Sequence, residues 1–435
     1  MKSNLVKRGF LSLVITQFFG AANDNLLKGV LSFGVATGGL WAARLGAGGQ
    51  AYVGLCLTVP FIVLSGFAGQ IADRYSKRTV IVAVKFAEVV IAMVGLVGFI
   101  FGEIWTAMVA MLLLAIQSAF FGPAKYGIIP ELVGSRDLSR ANGAINMFTN
   151  IAIIAGTLIA GPIYRWYSPT TSLEAGQSVS ALPAAMSWAP GVAMLSIAIL
   201  GLLASLFMPR LEPANPTLVL RMSVLGPYRD AIREMARGPL LLVALAWSFF
   251  YMVGMTAILI LPDYKELLGV GPVKASVLLG ILGIAIGIGS VAAGLISGHR
   301  VEARLIPVGA FGLTLFFLLL GATPLDYTLV AALLLGAGVF AGFYIIPLQA
   351  LLQKLSPDAE RGRFLGTANA ISFVASTFGS LLFLGARQLG VPSNRVFLIC
   401  GGLALVGIGL MLWRLRGLIN DPTLRDENIE STQAV

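Results

Sequence analysis

The chain has 435 residues, 57% of them hydrophobic and only 11% charged, with a formal net charge of +10. A mean hydropathy of +0.88 excludes an ordinary soluble domain, which needs far more charged surface. Two cysteines, Cys56 and Cys400, both inside apolar runs, exclude a disulfide framework. With no metal-ligand cluster, Walker loop or nucleophile elbow, no metal, no cofactor and no enzymatic chemistry are expected.

Repeated apolar stretches of about 20 residues match a hydrocarbon core crossed by helices. In chain order they cover residues 10–35, 51–72, 79–101, 104–129, 142–163 and 190–208, then 240–262, 273–297, 304–320, 328–352, 365–386 and 394–413. The first is not a cleavable signal peptide, because it is too long, holds a charged pair and lacks a small-residue cleavage site. Residues 209–239 are polar and basic, with Pro209, Pro213, Pro216 and Pro227. The expected organisation is therefore an N-terminal six-helix half over 1–208, a cytoplasmic linker over 209–239, a C-terminal six-helix half over 240–416, and a disordered cytoplasmic tail over 417–435.

The positive charge fits a topology better than a nucleic-acid surface. With the N-terminus in the cytoplasm, that side carries 21 of the 30 Lys and Arg, and the outer side six, among them Arg44, Lys265 and Arg387. This bias puts both termini inside and turns the basic surface toward anionic membrane lipids. The single His299 falls in a short loop and reads as solvated.

The first span carries Asn23-Asp24-Asn25 in its middle, with Lys28 one turn on. A charge at that depth costs about 2.5–3.5 kcal/mol on insertion scales and marks an ion or substrate pathway by default. Asp24 and Lys28, spaced i, i+4, share a helix face and can neutralise each other, so a purely structural pair is the competing reading. Lys85 and Glu88 on span 3, spaced i, i+3, read as a structural pair with a snorkelling lysine. At the end of span 4, Gly122-Pro-Ala-Lys125-Tyr126-Gly127 frees backbone carbonyls, tolerable next to protein or water. Lys125 either snorkels to the interface or holds a phosphate as a point charge. Glu131, Arg136 and Arg140 follow as interface charges in the next loop. At 1.5 Å per residue, Asp24 and Lys125 are expected about 15 Å apart along the membrane normal, successive stations rather than an ion pair.

The loop after span 2 reads Gly69-Gln-Ile-Ala-Asp73-Arg74-Tyr-Ser-Lys77-Arg78. It resembles the Gly-x-x-x-Asp-Arg-x-x-Arg-Arg signature of major facilitator transporters. There glycine permits a close helix approach and aspartate bonds basic residues and a helix N-terminus, a conformational latch. The two halves echo each other: Gly122-Pro123 then Asn142, against Ile346-Pro347 then Asn369, and Phe18-Phe19 against Phe249-Phe250. Such parallel repeats imply an all-α membrane protein of the major facilitator fold, twelve transmembrane helices in two six-helix halves, with substrate near the midplane. The echo is uneven. Asp24 aligns with Met255, Lys125 with Gln349 and Asp73 with Gly298, and the second half is apolar through its spans. A substrate with one polar and one greasy end suits that asymmetry.

Three stretches carry a closer likeness: Gln17-Phe-Phe-Gly-Ala-Ala-Asn-Asp24-Asn25, Gly122-Pro-Ala-Lys125-Tyr126-Gly127-Ile-Ile-Pro-Glu131-Leu132, and Gly342-Phe-Tyr-Ile-Ile-Pro347-Leu-Gln-Ala-Leu-Leu-Gln353. Here the chain resembles the bacterial lysophospholipid transporter (LplT) family, over most of residues 10–413. An arginine carried in span 7 by some members falls here on an apolar position near Ile258. The resemblance implies a monomeric flippase of the bacterial inner membrane that moves lysophospholipids, chiefly lysophosphatidylethanolamine, from the outer to the inner leaflet. A separate acyltransferase would restore the missing chain there. Substrate contacts would be Asp24 to ammonium or a coupling cation, Lys125 to phosphate, and Asn23, Asn25 and Gln349 as neutral hydrogen-bonding groups beside Lys28. Gly69, Asp73, Arg74, Lys77 and Arg78 would form the latch. A cation-coupled exporter of drugs or amphiphilic metabolites is the alternative.

Overall fold

The computed structural model of the chain describes residues 8–133, 138–168, 186–213, 216–217, 220, 226–297, 302–322, 326–356 and 361–419. Among the described residues the regular structure is entirely helical. Twelve long helices fall on the twelve expected segments: α1 (Arg8–Val35), α2 (Gln50–Arg74), α3 (Lys77–Ile100), α4 (Ile104–Val133), α5 (Leu138–Tyr167) and α6 (Ala189–Leu206), then α7 (Leu240–Ile260), α8 (Pro272–Ser297), α9 (Leu305–Ala322), α10 (Tyr327–Leu355), α11 (Arg361–Gln388) and α12 (Val396–Ile419). Nine helices among the described residues are long and apolar enough to cross a membrane. A tenth counts if Gln50–Ser65 and Phe67–Arg74, bent by 57°, are one span. α1, polar in its middle, is not among these, nor is α12, whose first turns with the preceding 3-10 turn, Ser393–Gly407, count as a shorter apolar helix.

The chain falls into two compact units, Met1–Leu225 with Gly269–Val277, and Gly226–Leu268 with Leu278–Val435. Part of the segment expected as linker is helical, Gly226–Met235, and belongs to the second unit. Its Pro227 is an early residue of that helix, where the missing N–H has no intrahelical partner to lose. α12 continues to Ile419, three residues into the expected tail, and residues 420–435, like His299, lie outside the described residues.

Within the first unit, α1 packs on α5, α6 and α4, while α4 also packs on α3 and α2, and α6 on α3. The second unit repeats the scheme: α7 packs on α11, α12 and α10, and α9 on α10 and α12. Helices in a bilayer gain little from apolar contact alone, so close approach through small residues matters. A Cβ on Gly156 of α5 would strike the Ala22 carbonyl of α1. In the second unit a Cβ on Gly379 of α11 would strike the Met252 carbonyl of α7. Gly289 of α8 and Gly342 of α10 bring those two backbones together in the same way. Each unit also has its own apolar cluster. Phe10, Leu13, Ile128, Ile129, Leu132 and Met208 pack in the first. Leu240, Trp247, Ile306, Tyr344, Leu348 and Phe364 pack in the second.

Candidate functional site

Three consecutive residues of α1 face three ways, because each step around a helix is about 100°. Asn23 turns to α3, where its Nδ2 donates to Glu88 Oε1 at 2.9 Å. Asp24 turns to α4, where the Ser118 hydroxyl lies 2.9 Å from Oδ2. Asn25 stays on its own helix: Nδ2 donates to the Ala21 carbonyl at 2.8 Å, and Oδ1 accepts from Lys28 Nζ at 2.7 Å.

Lys28 therefore turns to Asn25, not to Asp24 as the i, i+4 spacing suggested. The physical reason is local. The Asp24 carboxylate is already swung toward α4, while the Asn25 amide oxygen offers an acceptor one turn from the lysine on its own side.

Glu88 is the hub of the cluster. Its Oε2 lies 2.6 Å from Lys85 Nζ and accepts from Gln117 Nε2 at 3.4 Å. Both members of the ion pair are 1% exposed, so Lys85 does not snorkel. Its ammonium ends 4.8 Å from the centre of the Phe121 ring of α4 and against Gly20 of α1, where a Cβ would occupy its place. The Ser118 hydroxyl is also 3.0 Å from Gln117 Oε1. It has one proton, so it donates either to Asp24 or to Gln117. A closed loop results: Glu88 holds Asn23 on α1 and Gln117 on α4, and their neighbours Asp24 and Ser118 meet each other. Asp24 Oδ1 and Asn23 Oδ1 are buried with no hydrogen-bond partner among the described residues.

Lys125 is 8% exposed, and its ammonium lies 4.3 Å from the centre of the Tyr126 ring. It is two turns along α4 from Ser118 on the same face, about 10 Å. The Asp24 level and Lys125 are thus closer than the expected 15 Å, because Ser118 meets Asp24 nearer the Lys125 end of α4 than helix lengths alone imply. Gln349 is half-buried on α10 in the second unit, two residues after Pro347.

The loop signature is more dispersed than expected. Among the described residues a Cβ on Gly69 would meet nothing within 4 Å, so no close helix approach is marked there by this glycine. Asp73 is exposed. Arg74 lies over the Tyr75 ring, 5.7 Å from its centre. Lys77 pairs with Glu131 at 2.7 Å, and Glu131 sits in the last turn of α4 rather than in a loop. Arg78 donates from Nε to the Met208 carbonyl at 2.8 Å and from Nη2 to the Leu206 carbonyl at 3.2 Å, satisfying the end of α6. The motif glycine Gly127 also gains a reason: a Cβ there would lie 2.7 Å from Lys77 Cε, so the lysine stem crosses α4 at that point.

Glu88, Gln117 and Ser118 are the polar residues that spacing arguments left outside the site. Two signals were available: the Lys85–Glu88 step itself, and the Gln117-Ser118 dipeptide inside an apolar span. In the second unit an ionic cluster lies past the end of α7. Arg387 Nε is 3.7 Å from Asp263 Oδ2, and the Ser393 hydroxyl donates to the same oxygen. Among the described residues no group of three or more His, Cys, Asp or Glu is placed to hold a metal ion. What the first-unit cluster offers is a carboxylate with a free, desolvated oxygen, suited to a cationic group.

A sequence model of the Major Facilitator Superfamily matches residues 10–380. The chain belongs to that superfamily. It is similar to the lysophospholipid transporter LplT of Citrobacter koseri, 29% identical over 437 residues, covering 95% of this chain and 98% of that protein. The corresponding Cronobacter sakazakii protein is 28% identical, covering 94% of this chain and 97% of its own. Among solved structures, a bacterial homologue of the human lysosomal transporter Spinster superposes with a TM-score of 0.70 at 13% identity, covering 97% of this chain and 100% of that one. A D-xylose–proton symporter gives 0.70 at 16% identity, covering 93% and 96%. These two likenesses carry the fold alone; the family model together with the long apolar helices makes the chain a multi-pass membrane protein.

Proposed function

We propose that this protein is a secondary transporter that moves lysophospholipids, chiefly lysophosphatidylethanolamine, from the outer to the inner leaflet of a bacterial inner membrane by alternating access. Similarity to lysophospholipid transporters over most of the chain supports the substrate class. The observation that carries the chemistry is Asp24. One carboxylate oxygen is met by Ser118 and the other is buried without a partner among the described residues. A buried acceptor left unpaired costs about 1–3 kcal/mol, on top of the cost of a charge at that depth. An ethanolamine ammonium supplies the missing donor and the opposite charge together.

The remaining roles follow from placement. Asn23, committed to Glu88, orients α1, while Asn25 and Lys28 complete the polar wall beside Asp24. Lys125, on the same face of α4 as Ser118, attracts the phosphate as the next station. Gln349 is a neutral hydrogen-bonding group of the second unit. Gly69, Asp73, Arg74, Lys77 and Arg78 stabilise one conformation of the cycle. The transporter works as a monomer with both termini cytoplasmic, and its product passes to a separate acyltransferase.

Uptake of labelled lysophosphatidylethanolamine into proteoliposomes tests this. Asp24→Asn keeps the shape and the Ser118 bond but removes the charge. Losing a charge-assisted bond predicts uptake down about tenfold or more, with an unfolding temperature no lower than that of the wild type. Wild-type uptake by Asp24→Asn would sink the assignment. Export of a cationic dye by the wild-type protein, without lysophospholipid uptake, would favour the exporter reading instead.

A further inference from the structure

Between α3 and α6, where α3 begins and α6 ends, a groove of about 490 Å³ is lined by Arg78, Thr79, Val82, Ala83 and Phe86 of α3 and by Leu202 and Leu206 of α6. Its apolar wall is not packed core. Phe86 is 62% exposed, Leu206 47%, and the adjoining Phe207 76%. On membrane-crossing helices such side chains face acyl chains. One end of this greasy groove carries a fixed cation. Arg78 spends two of its five N–H donors on the Leu206 and Met208 carbonyls, which hold the guanidinium at the mouth and leave three donors. Arg210, exposed, follows two residues after Met208. Among the described residues no acidic side chain lines the groove.

We propose that this groove binds an anionic diacyl phospholipid, its phosphate on Arg78 and one acyl chain along Val82, Ala83 and Phe86. The occupant follows from charge and shape together. Guanidinium is matched to a phosphate as a planar, multi-donor partner. A zwitterionic lipid brings an ammonium that finds no carboxylate among the lining residues. The site lies on the outer wall of the first unit, away from the Asp24 cluster on α1, so it does not depend on the transport reading. A lipid seated here would bridge the start of α3 to the end of α6.

Native mass spectrometry of the full chain in detergent, with phosphatidylglycerol and phosphatidylethanolamine of identical acyl chains in equal amounts, tests it. The expected result is preferential retention of phosphatidylglycerol by about five-fold, what one arginine is worth near an anionic headgroup. Arg78→Gln should bring the ratio toward one, but it also uncaps α6. Ala83→Trp is therefore the deciding variant, since it fills the groove from an exposed position and leaves the Arg78 bonds intact. Equal retention of the two lipids by the wild-type chain overturns the proposal. So does a preference that survives Ala83→Trp, which would mean diffuse surface charge and no groove.

Discussion

The two compact units share a packing scheme and differ in what occupies it. In the first, Gly156 of α5 lies against the Ala22 carbonyl of α1; in the second, Gly379 of α11 lies against the Met252 carbonyl of α7. Asp24 stands two residues beyond the first crossing. The same step beyond the second arrives at Gly254, followed by Met255. Close backbone approach therefore builds the scaffold twice, and charge is added in mid-span in the first copy, whereas the Asp263–Arg387 pair of the second lies past the end of α7. Where the first half buries Lys85, Glu88 and Asp24, the second buries the Trp247 indole N–H and the Ser248 hydroxyl, which have no hydrogen-bond partner among the described residues. Ionic groups cost stability in hydrocarbon, so the difference teaches that the first half is loaded for chemistry beyond what its packing needs.

The largest way to break the comparison is to erase the ion pair. Glu88→Leu leaves the Lys85 ammonium buried and uncompensated, which costs about 3–5 kcal/mol. Lys85→Met combined with Glu88→Leu makes the first half resemble the second and should recover most of that loss, as buried pairs replaced by apolar groups often do. Thermal unfolding in detergent reads both. A double variant that is stable yet inactive in uptake shows that the cluster serves transport through the placement of Asn23 and Gln117. A double variant no more stable than the single one would mean that Lys85 has another anionic partner.

Next comes the scaffold. Gly156→Leu and Gly379→Leu each force a side chain into a backbone carbonyl of the facing helix, where nothing flexible can yield. Overpacking of this kind costs about 1–3 kcal/mol or more. If the halves are the same scaffold, the two unfolding temperatures drop alike; a drop confined to Gly156→Leu would break the equivalence.

The helices were legible because a run of apolar residues states its own length, and the bilayer sets how long it must be. The helix Gly226–Met235 was hidden because a polar, proline-bearing stretch reads as linker. Site residues were legible as types but not as partners. Spacing puts Asp24 and Lys28 on one face, yet it cannot say that Ser118 on α4 captures the carboxylate while Asn25 captures the lysine. Lys85 reads as a snorkelling lysine until α3 is seen to turn that face toward Gly20 and Phe121, leaving it no route to an interface. Gly69 matched a signature whose close approach is absent among the described residues. Gly127, in an equally short motif, has its reason in Lys77, about 50 residues away in the chain.

Gly127 also gives the smallest expected effect and the most discriminating sign. Alanine in a helix is worth about 1 kcal/mol over glycine. Against this, the added Cβ would sit 2.7 Å from Lys77 Cε and 3.1 Å from Cδ, both on a flexible stem. The lysine must swing aside and loosen its bond to Glu131, a pair with one buried and one partly exposed member. Exposed pairs contribute up to about 1 kcal/mol, so Gly127→Ala alone should be nearly neutral. In a Lys77→Ala background the obstruction is gone and the same substitution should stabilise by about 1 kcal/mol. A double-mutant cycle on unfolding in detergent reads the difference. The second half aligns Gln349 with Lys125 and so places Leu351 where the first half has Gly127. Leu351 carries a full, buried side chain there, so that position needs no glycine. Equal effects of Gly127→Ala in both backgrounds would show that Lys77 imposes nothing on α4, and this part of the asymmetry between the halves would then need another cause.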